Sequence, residues 1–535
     1  MTNAWTSWGA TQPELSRRTR SLLRETLGPL TASTPAPLAE ARLSPSALPD
    51  ATRSRLAAAL GGDAVRTDAE SRARHAGGQS YEEIVRRRHG DAGAAPDAVL
   101  LPADAVQVDQ VLRICGDDGV AVVPWGGGTS VVGGLAAERG GNAALVALDL
   151  SRLDQLIDVD EDSLTATFQP GITTPAAEAA LAAHGLTLGH APQSYERATL
   201  GGYVVTRSAG QASTGYGRID DMVVGLRMAT PVGELVLPAV PGSAAGPDLR
   251  RLVLGSEGTL GVVTEVTLRV HRKPAVRRYE GWMAPSWDAG REILRRLAQD
   301  GPHPDIARLS DPDETRMSMA LSNTGRATRR ALSAYLKARR VDSGCLVIVG
   351  FEGTKADVSH RRRGVRAALR RGGAVPLGAR AGNTWEHGRF SGPYLRDTLL
   401  DTGVLVETLE TAGEWSGLRE LYDEVRTALH SSLGRAVVGC HVSHVYPTGA
   451  SLYFTVLAAA EPGREIEQWT AAKRAANDAI VAARGTITHH HAVGTAHREH
   501  VLDDLSAVGV DALRAVKERL DPAGILNPGK LLPSG

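Results

Sequence analysis

The sequence predicts an α+β fold with two large units. Short β-rich runs alternate with helix candidates from about residue 96 to about residue 270, which is the pattern of a domain that contains β-α-β units. Lys273-Pro274 interrupts this pattern, because proline and the residue before it disfavour continued regular structure. Longer helix candidates and two apolar strand candidates follow, which indicate a second unit made of a sheet with flanking helices.

The elements divide the 535 residues into four segments, and this length is enough for two or three hydrophobic cores. The predicted segments are an N-terminal helical arm over 1–95, a first domain over 96–273, a second domain over 274–470 and a C-terminal segment over 471–535. The predicted helices are 53–60, 106–115, 288–299 and 327–339. The predicted strands are 98–101, 120–123, 144–148, 165–168, 345–351 and 452–458.

Charge and cysteine content exclude several classes of protein. The formal net charge is zero, so no overall field favours nucleic acid or an anionic membrane surface. The three cysteines are Cys115, Cys345 and Cys440, and their number and spacing argue against a disulfide framework and a four-cysteine zinc site. The N-terminus lacks a basic and apolar leader, and no long apolar run occurs. We therefore expect a cytoplasmic protein without a transmembrane segment and without a nucleic-acid partner.

One local cluster of positive charge occurs despite the net charge of zero. Its members are Arg361, Arg362, Arg363, Arg366, Arg370 and Arg371. A solvated helix face is the favoured interpretation, and a polyanion site is the alternative.

A glycine-rich segment, PWGGGTSVVGG at 124–134, follows the strand candidate at 120–123. Glycines accept positive φ and let N–H groups approach an anion, while Thr129 and Ser130 add hydroxyl donors. The run lacks the last glycine of the Rossmann fingerprint and the Lys-Ser/Thr pair of a Walker loop. By itself it is either a phosphate-binding loop or an ordinary tight turn.

Two further segments rich in glycine and hydroxyl residues occur downstream, at 192–210 and at 255–265. In their order along the chain and in their residues, the three loops resemble those of the FAD-binding domain of the vanillyl-alcohol-oxidase (PCMH-type) flavoprotein family. The resemblance implies a two-subdomain FAD-binding domain over 96–273 and an α/β cap, or substrate, domain with an antiparallel sheet and flanking helices. In this family the first loop wraps the pyrophosphate, the second follows the ribityl chain and isoalloxazine, and the third contacts the cofactor at the base of the domain.

The cofactor-binding residues that the resemblance implies all lie in these loops. They are Pro124, Trp125, Gly126, Gly127, Gly128, Thr129, Ser130, Gln193, Ser194, Thr199, Thr206, Ser208, Ala209, Glu257, Gly258, Thr259, Gly261, Val262 and Val263. Because the first loop contains neither histidine nor cysteine, we expect the FAD to be bound non-covalently.

Three consecutive histidines, His489, His490 and His491, form the second feature of note. On an extended segment His489 and His491 would share one face and His490 the other. Proton transfer or anion binding in a cleft, metal binding and surface polarity are all open interpretations. No carboxylate or cysteine stands at a recognised metal-ligand spacing, so we predict no metal site.

Four segments, at 394–397, 407–411, 445–454 and 489–494, look like the alkyldihydroxyacetonephosphate synthase family. These flavoenzymes begin ether-lipid biosynthesis by exchanging the acyl group of acyl-dihydroxyacetone phosphate for a fatty alcohol, through an adduct at flavin N5 and without net oxidation. The resemblance implies that Tyr453 donates and accepts the proton at the substrate carbon and that Arg396 binds the anionic group. The three histidines would line the reactive pocket, and the protein would form a homodimer. Arg308, which follows the boundary at Lys273-Pro274, is a second candidate for substrate binding and could face the flavin edge.

Alternatives remain for these residues. Tyr453 lies in an apolar run and is also compatible with a core position, while Arg396-Asp397 is also compatible with a surface ion pair. Arg308 is as compatible with structural pairing as with a place at the flavin.

Two departures bear on the substrate. The synthases carry an arginine where this chain has Gly242, and the ending at 521–530 resembles the D-lactate and glycolate dehydrogenase branch. An FAD-dependent oxidase or dehydrogenase of a 2-hydroxy acid or a specialised-metabolite alcohol is therefore the rival function. A flavin-binding protein without catalysis is the third class.

Overall fold

The computed structural model describes residues 5–9, 12–321 and 325–533. Most of the regular elements that the structure describes before residue 96 are helices. Its elements are α1 (Arg17–Leu27), α2 (Asp50–Leu60), β1 (Val65–Arg66), α3 (Ala69–Arg74) and α4 (Tyr81–Arg88). The predicted helix at 53–60 is confirmed as the larger part of α2.

A small sheet in the order β1-β2-β4-β3 carries the first glycine-rich loop. The new elements are β2 (Ala98–Leu100), α5 (Ala105–Asp118), β3 (Val120–Trp125) and β4 (Ala144–Asp149). Strands β2 and β3 both pair parallel to β4, and α5 connects β2 to β3. Asp104 caps the start of α5, its apolar residues Val108, Val111 and Leu112 are fully buried, and Gly119 ends it in the left-handed conformation. The loop therefore begins at the carboxyl end of a parallel strand, where α/β sheets bind ligands.

A second sheet, in the order β5-β6-β10-β8-β9, is antiparallel throughout and carries the other two loops. Its strands are β5 (Leu156–Asp160), β6 (Thr165–Phe168), β8 (Val223–Thr230), β9 (Gly233–Leu237) and β10 (Val262–Arg269). The remaining elements of this unit are α6 (Thr174–Ala182), β7 (Leu186–Thr187), α7 (Leu200–Thr206), α8 (Ser213–Tyr216), α9 (Ile219–Met222), α10 (Arg250–Val253) and β11 (His271–Arg272). The two sheets confirm the two-subdomain architecture.

The second half of the chain forms a seven-stranded antiparallel sheet in the order β15-β12-β14-β13-β17-β18-β16. Its strands are β12 (Val276–Ala284), β13 (Ile306–Ser310), β14 (Cys345–Gly353), β15 (Val375–Gly378), β16 (Val404–Glu414), β17 (Ala436–Val445) and β18 (Gly449–Ala459). The helices of this half and of the C-terminal segment are α11 (Trp287–Asp300), α12 (Pro312–Leu321), α13 (Arg326–Ala338), α14 (Lys355–Arg371), α15 (Ala379–Gly388), α16 (Gly392–Asp401), α17 (Leu418–Leu433), α18 (Glu465–Ala482) and α19 (Val501–Leu520). The predicted antiparallel sheet with flanking helices is confirmed, and we call this unit the cap.

The arginine cluster lies on α14 and is largely engaged within the cap. Arg361 pairs with Asp305 and Arg362 with Glu280. The guanidinium groups of Arg366 and Arg370 lie over the ring of Trp282. These contacts favour a structural role over a polyanion site.

Among the residues that the structure describes, none of the helices combines the length and the hydropathy of a membrane span.

The histidine segment lies in a loop, residues 486–497, that we call the strap, and two buried carboxylates hold it. Glu410 of β16 accepts the backbone N–H groups of His489, His490 and His491 at 2.7, 3.0 and 2.9 Å. Glu257 of the third glycine-rich loop accepts those of Val493 and Gly494 at 2.9 and 2.8 Å. The strap thus joins the cap to the cofactor-binding unit.

This arrangement also overturns the expected alternation of the histidines. Three successive N–H groups converge on one carboxylate, which an extended strand cannot do because its N–H groups alternate in direction.

We expect Glu410→Ala to lower the free energy of unfolding by about 3 kcal/mol or more, because it leaves three buried N–H groups without an acceptor at a cost of about 1–3 kcal/mol each. Urea unfolding followed by circular dichroism would measure the change. Glu82→Ala is the control, since Glu82 forms an exposed pair with Arg86 within α4 and its loss should cost no more than about 0.5 kcal/mol. Equal stability of the two variants would contradict a supporting role for Glu410.

Candidate active site

A cavity of about 760 Å³ lies between the cofactor-binding unit and the cap sheet. All three glycine-rich loops line it. The predicted cofactor residues at its wall are Pro124, Trp125, Gly126, Gly127, Gly128, Thr129, Ser130, Gln193, Ser194, Thr199, Thr206, Ser208, Ala209, Glu257, Gly258, Gly261, Val262 and Val263. Thr259 differs: it is buried, and its hydroxyl donates to the carbonyl of Ser256 behind the wall.

The first loop needs glycine because the second loop presses against it. A Cβ on Gly126 would lie 2.3 Å from the Thr199 hydroxyl, and one on Gly127 would lie 2.1 Å from the Arg197 carbonyl oxygen. Gly128 adopts a φ of 67°, which favours glycine. The packed loops leave a cradle of bare backbone with the hydroxyls of Thr129 and Ser130 at the cavity wall. Such a cradle fits the pyrophosphate of a dinucleotide.

Opposite the loops, Tyr453 belongs to a polar row that crosses four strands of the cap sheet. The register pairs Glu410 with Tyr453, Tyr453 with His441, and His441 with Ser310. The ring of Tyr453 stacks on that of His441 with centroids 4.8 Å apart. Burial raises the pKa of Tyr453 to about 12, so at neutral pH the phenol keeps its proton. Tyr453 lines the cavity, which favours the catalytic interpretation over a core position.

Two further histidines, His441 and His444, reach the cavity from β17. Alternation alone would send them to opposite faces of the sheet, but the register of β17 shifts between Val442 and Val445. Such an irregularity re-aims side chains and is common beside active sites. The sequence analysis missed both residues, and the paired histidines of HVSH near the end of a strand-like run were the available signal.

Arg308 both lines the cavity and forms an ion pair. Its guanidinium donates to Glu314 at 2.5 Å and lies 3.0 Å from His441 Nδ1. His441 Nδ1 is also 3.0 Å from the second oxygen of Glu314. The two interpretations of Arg308 are therefore compatible, because Glu314 holds the guanidinium at the cavity wall.

The three strap histidines occupy different places. His490 and His491 line the cavity, whereas His489 lies behind them. His489 Nε2 is 2.6 Å from the Tyr446 hydroxyl, and its Nδ1 is 3.0 Å from His490 Nδ1. Burial lowers the pKa of His491 to about 3 and that of His489 well below its ordinary value. Both imidazoles are therefore neutral at physiological pH.

Three histidines whose ring nitrogens could bind a metal ion lie close together beside the cavity. Ring nitrogens of His444, His489 and His490 all lie within 4.8 Å of one another. His444 Nδ1 and His489 Nε2 are already engaged, with Ser213 and Tyr446 respectively.

Arg396 lies in α16 at the cavity wall, and its position is fixed by buried partners. Its two terminal nitrogens donate to the carbonyl and the side-chain oxygen of Gln79, at 3.0 and 2.9 Å. Asp397 is fully buried and accepts the backbone N–H of Trp8, and Arg396 Nε lies 3.8 Å from its carboxylate, so the two residues form a buried pair and not the surface pair considered from the sequence.

The cavity also has an apolar arm that the sequence analysis did not locate. Helix α1 closes one side, α12 and α16 form further walls, and cap strands form the floor. The residues of this arm include Leu15, Thr19, Leu22, Leu23, Thr26, Met317, Ala320, Leu395, Leu399, Val406, Val437 and Leu457. The N-terminal segment therefore builds part of the site, and Trp8 contributes to the same wall as Arg396.

Family models match most of the chain. Residues 96–237 match an FAD binding domain, and residues 273–531 match the C-terminal domain of FAD-linked oxidases. An alkyldihydroxyacetonephosphate synthase of Trypanosoma brucei brucei is 33% identical over 92% of this chain and 82% of its own length. An uncharacterized FAD-linked oxidoreductase of Escherichia coli (strain K12) is 31% identical over 82% of this chain and 89% of its own.

A crystal structure of alkyldihydroxyacetonephosphate synthase superimposes with a TM-score of 0.87 at 28% identity, covering 99% of both chains. These matches confirm the FAD cofactor and the resemblance on which the sequence analysis relied. The chain belongs to the PCMH-type family of FAD-dependent enzymes that includes alkyldihydroxyacetonephosphate synthase.

Proposed function

We propose that this enzyme exchanges the acyl group of an acyl-dihydroxyacetone phosphate for a long-chain alcohol. The observation that carries the proposal is that one cavity is lined both by a guanidinium and by a group of apolar side chains. Arg396 provides a guanidinium for an anionic group at one side, and the arm between α1 and α12 provides an apolar path for an aliphatic chain. A guanidinium suits phosphate through bidentate geometry, and each buried methylene contributes about 0.8 kcal/mol.

The polar side chains of the cavity would have separate roles in the reaction. Arg396, held by Gln79, would bind the phosphate and fix the position of the substrate carbon. The protonated phenol of Tyr453 would exchange a proton with that carbon, a role worth typically 10²–10⁴-fold for a positioned acid or base. His490 and the neutral imidazole of His491 would accept or donate at the reacting oxygens. Bound FAD, held by the three glycine-rich loops, would supply an electron-accepting ring for the reaction.

The two departures from the synthase pattern lie outside this cavity. The segment 241–248, which holds Gly242, is an exposed loop after β9. The segment 521–530 packs under the first loop, where the side-chain amide of Asn527 donates to the carbonyls of Gly134 and Glu257. Neither segment contributes to the cavity wall, so neither argues against the proposed substrate. The cytoplasmic location and the homodimer stay predictions.

The substrate class is tested by incubating the FAD-loaded protein anaerobically with palmitoyl-dihydroxyacetone phosphate and hexadecanol. We expect the alkyl product and free palmitate without consumption of an oxidant. Tyr453→Phe should lower turnover by about 10²-fold or more, since it removes the proton-transferring hydroxyl. Lasting bleaching of the flavin by a 2-hydroxy acid or an alcohol, with formation of the keto product, would instead establish the oxidoreductase.

The apolar arm makes a second prediction. Thr26→Trp should narrow the arm and lower kcat/KM for hexadecanol about tenfold relative to hexanol, the equivalent of about two unburied methylenes at 0.8 kcal/mol each. Ser21→Trp is the matched control, because Ser21 lies on the exposed side of α1 and outside the cavity wall. An equal response of the two alcohols to Thr26→Trp would show that the chain does not occupy this arm.

Because the first loop lacks histidine and cysteine, we expect the FAD to be non-covalent. Acid precipitation should release yellow flavin into the supernatant, to be quantified by absorbance. Flavin colour retained in the washed pellet would show a covalent bond.

A further inference from the structure

We propose that His490, His489 and Tyr446 form a proton relay that connects the cavity with the outer side of the strap. The inference rests on the proposed function, because that reaction releases a proton. An alcohol and an ester yield an ether and a carboxylic acid, and the acid ionises at neutral pH. One proton per turnover therefore has to leave the cavity.

The hydrogen bonds of the relay are continuous. His490 lines the cavity and its Nδ1 lies 3.0 Å from His489 Nδ1. His489 Nε2 lies 2.6 Å from the Tyr446 hydroxyl. Both distances are within hydrogen-bond range, and both members beyond His490 lie outside the cavity wall. His489 does not line the cavity, so a role in the relay does not require it to contact the substrate.

The outer end of the relay lies near the protein surface. Tyr446 is half-buried at the turn between β17 and β18, and its neighbours Pro447 and Thr448 are exposed. The relay requires the Tyr446 hydroxyl to pass its proton to solvent at this turn. His490 itself is held at the inner end by the bond from its backbone N–H to Glu410.

The surroundings of His489 favour transfer over storage of a proton. The Arg218 guanidinium donates to the carbonyl oxygen of His489 at 2.9 Å. Burial, together with the nearby His490 and Arg218, holds the pKa of His489 well below its ordinary value. An imidazolium at His489 is therefore costly, and a proton passes through it by a change of tautomer.

Each step conserves atoms and electrons. His490 accepts a proton at the ring nitrogen facing the cavity and gives the proton on Nδ1 to His489 Nδ1. His489 gives the proton on Nε2 to the Tyr446 oxygen, and Tyr446 releases its own hydroxyl proton to solvent. Reorientation of the hydroxyl and exchange of the tautomers restore the starting state.

The test is Tyr446→Phe in the FAD-loaded enzyme, because this variant removes one hydroxyl outside the cavity. We expect kcat to fall roughly tenfold with KM unchanged, the solvent deuterium isotope effect on kcat to rise, and added imidazole to restore part of the rate. Tyr279→Phe is the matched control: it removes a buried hydroxyl bonded to Glu352 and should leave kcat, KM and the isotope effect unchanged. Wild-type kcat and isotope effect in Tyr446→Phe would overturn the relay.

Two measurements separate this result from other outcomes. A stoichiometric metal ion in the purified protein that is lost in His489→Gln would make the histidines metal ligands and overturn the relay. If the wild type lacks exchange activity, the proposed function fails, and the relay is tested by photoreduction of the FAD with a pH indicator. Slower proton uptake in Tyr446→Phe than in the wild type would then support the relay, and equal rates would overturn it.

Discussion

The active site depends on the burial of two carboxylates, Glu410 and Glu257, against the backbone of the strap. A buried carboxylate is costly unless hydrogen bonds satisfy it, and the strap supplies five backbone N–H groups to the pair. Burial alone would raise the pKa of Glu410, but the adjacent His490 holds it well below its ordinary value. For Glu257 burial is the larger effect, and it raises the pKa to about 7 although the N–H groups of Val493 and Gly494 and the charge of Lys530 act in the opposite direction. Because one carboxylate belongs to the cap and the other to the cofactor-binding unit, the same bonds that fix the histidines also align the two halves of the cavity.

The cap sheet brings polar side chains together because its register aligns residues from strands far apart in sequence. Glu410, Tyr453, His441 and Ser310 stand side by side on four adjacent strands. The irregularity in β17 lets His444 face the cavity together with these residues, whereas in a regular strand its side chain would point to the opposite face of the sheet. Antiparallel pairing thus converts local strand sequences into a wall of groups that face the cofactor loops.

The cofactor loops were predictable because each is a continuous run whose glycines and hydroxyls appear together in the sequence. The strands and helices around them were predictable for the same reason, since periodicity is local. The arm formed by α1 and the network of Arg308, Glu314 and His441 were not, because their members come from distant segments. The orientation of the strap was predicted wrongly: extended geometry was assumed, and Glu410, which dictates the actual turn, lies about eighty residues earlier.

The distribution of these features explains why the loops identify the cofactor but not the reaction. The cradle at Gly126 and Gly127 is determined by packing against the second loop. This packing does not depend on which substrate the enzyme binds. We propose that substrate selection lies instead where the chain brings together Arg396, Tyr453 and the face of α1, and these come from the cap and the N-terminal segment. The cofactor-binding unit can therefore stay unchanged while a different arm or a different α16 selects another substrate. The joint presence of a fixed guanidinium and an apolar arm in one cavity favours an amphipathic substrate over a small hydroxy acid, because a small acid would leave the arm without apolar contacts.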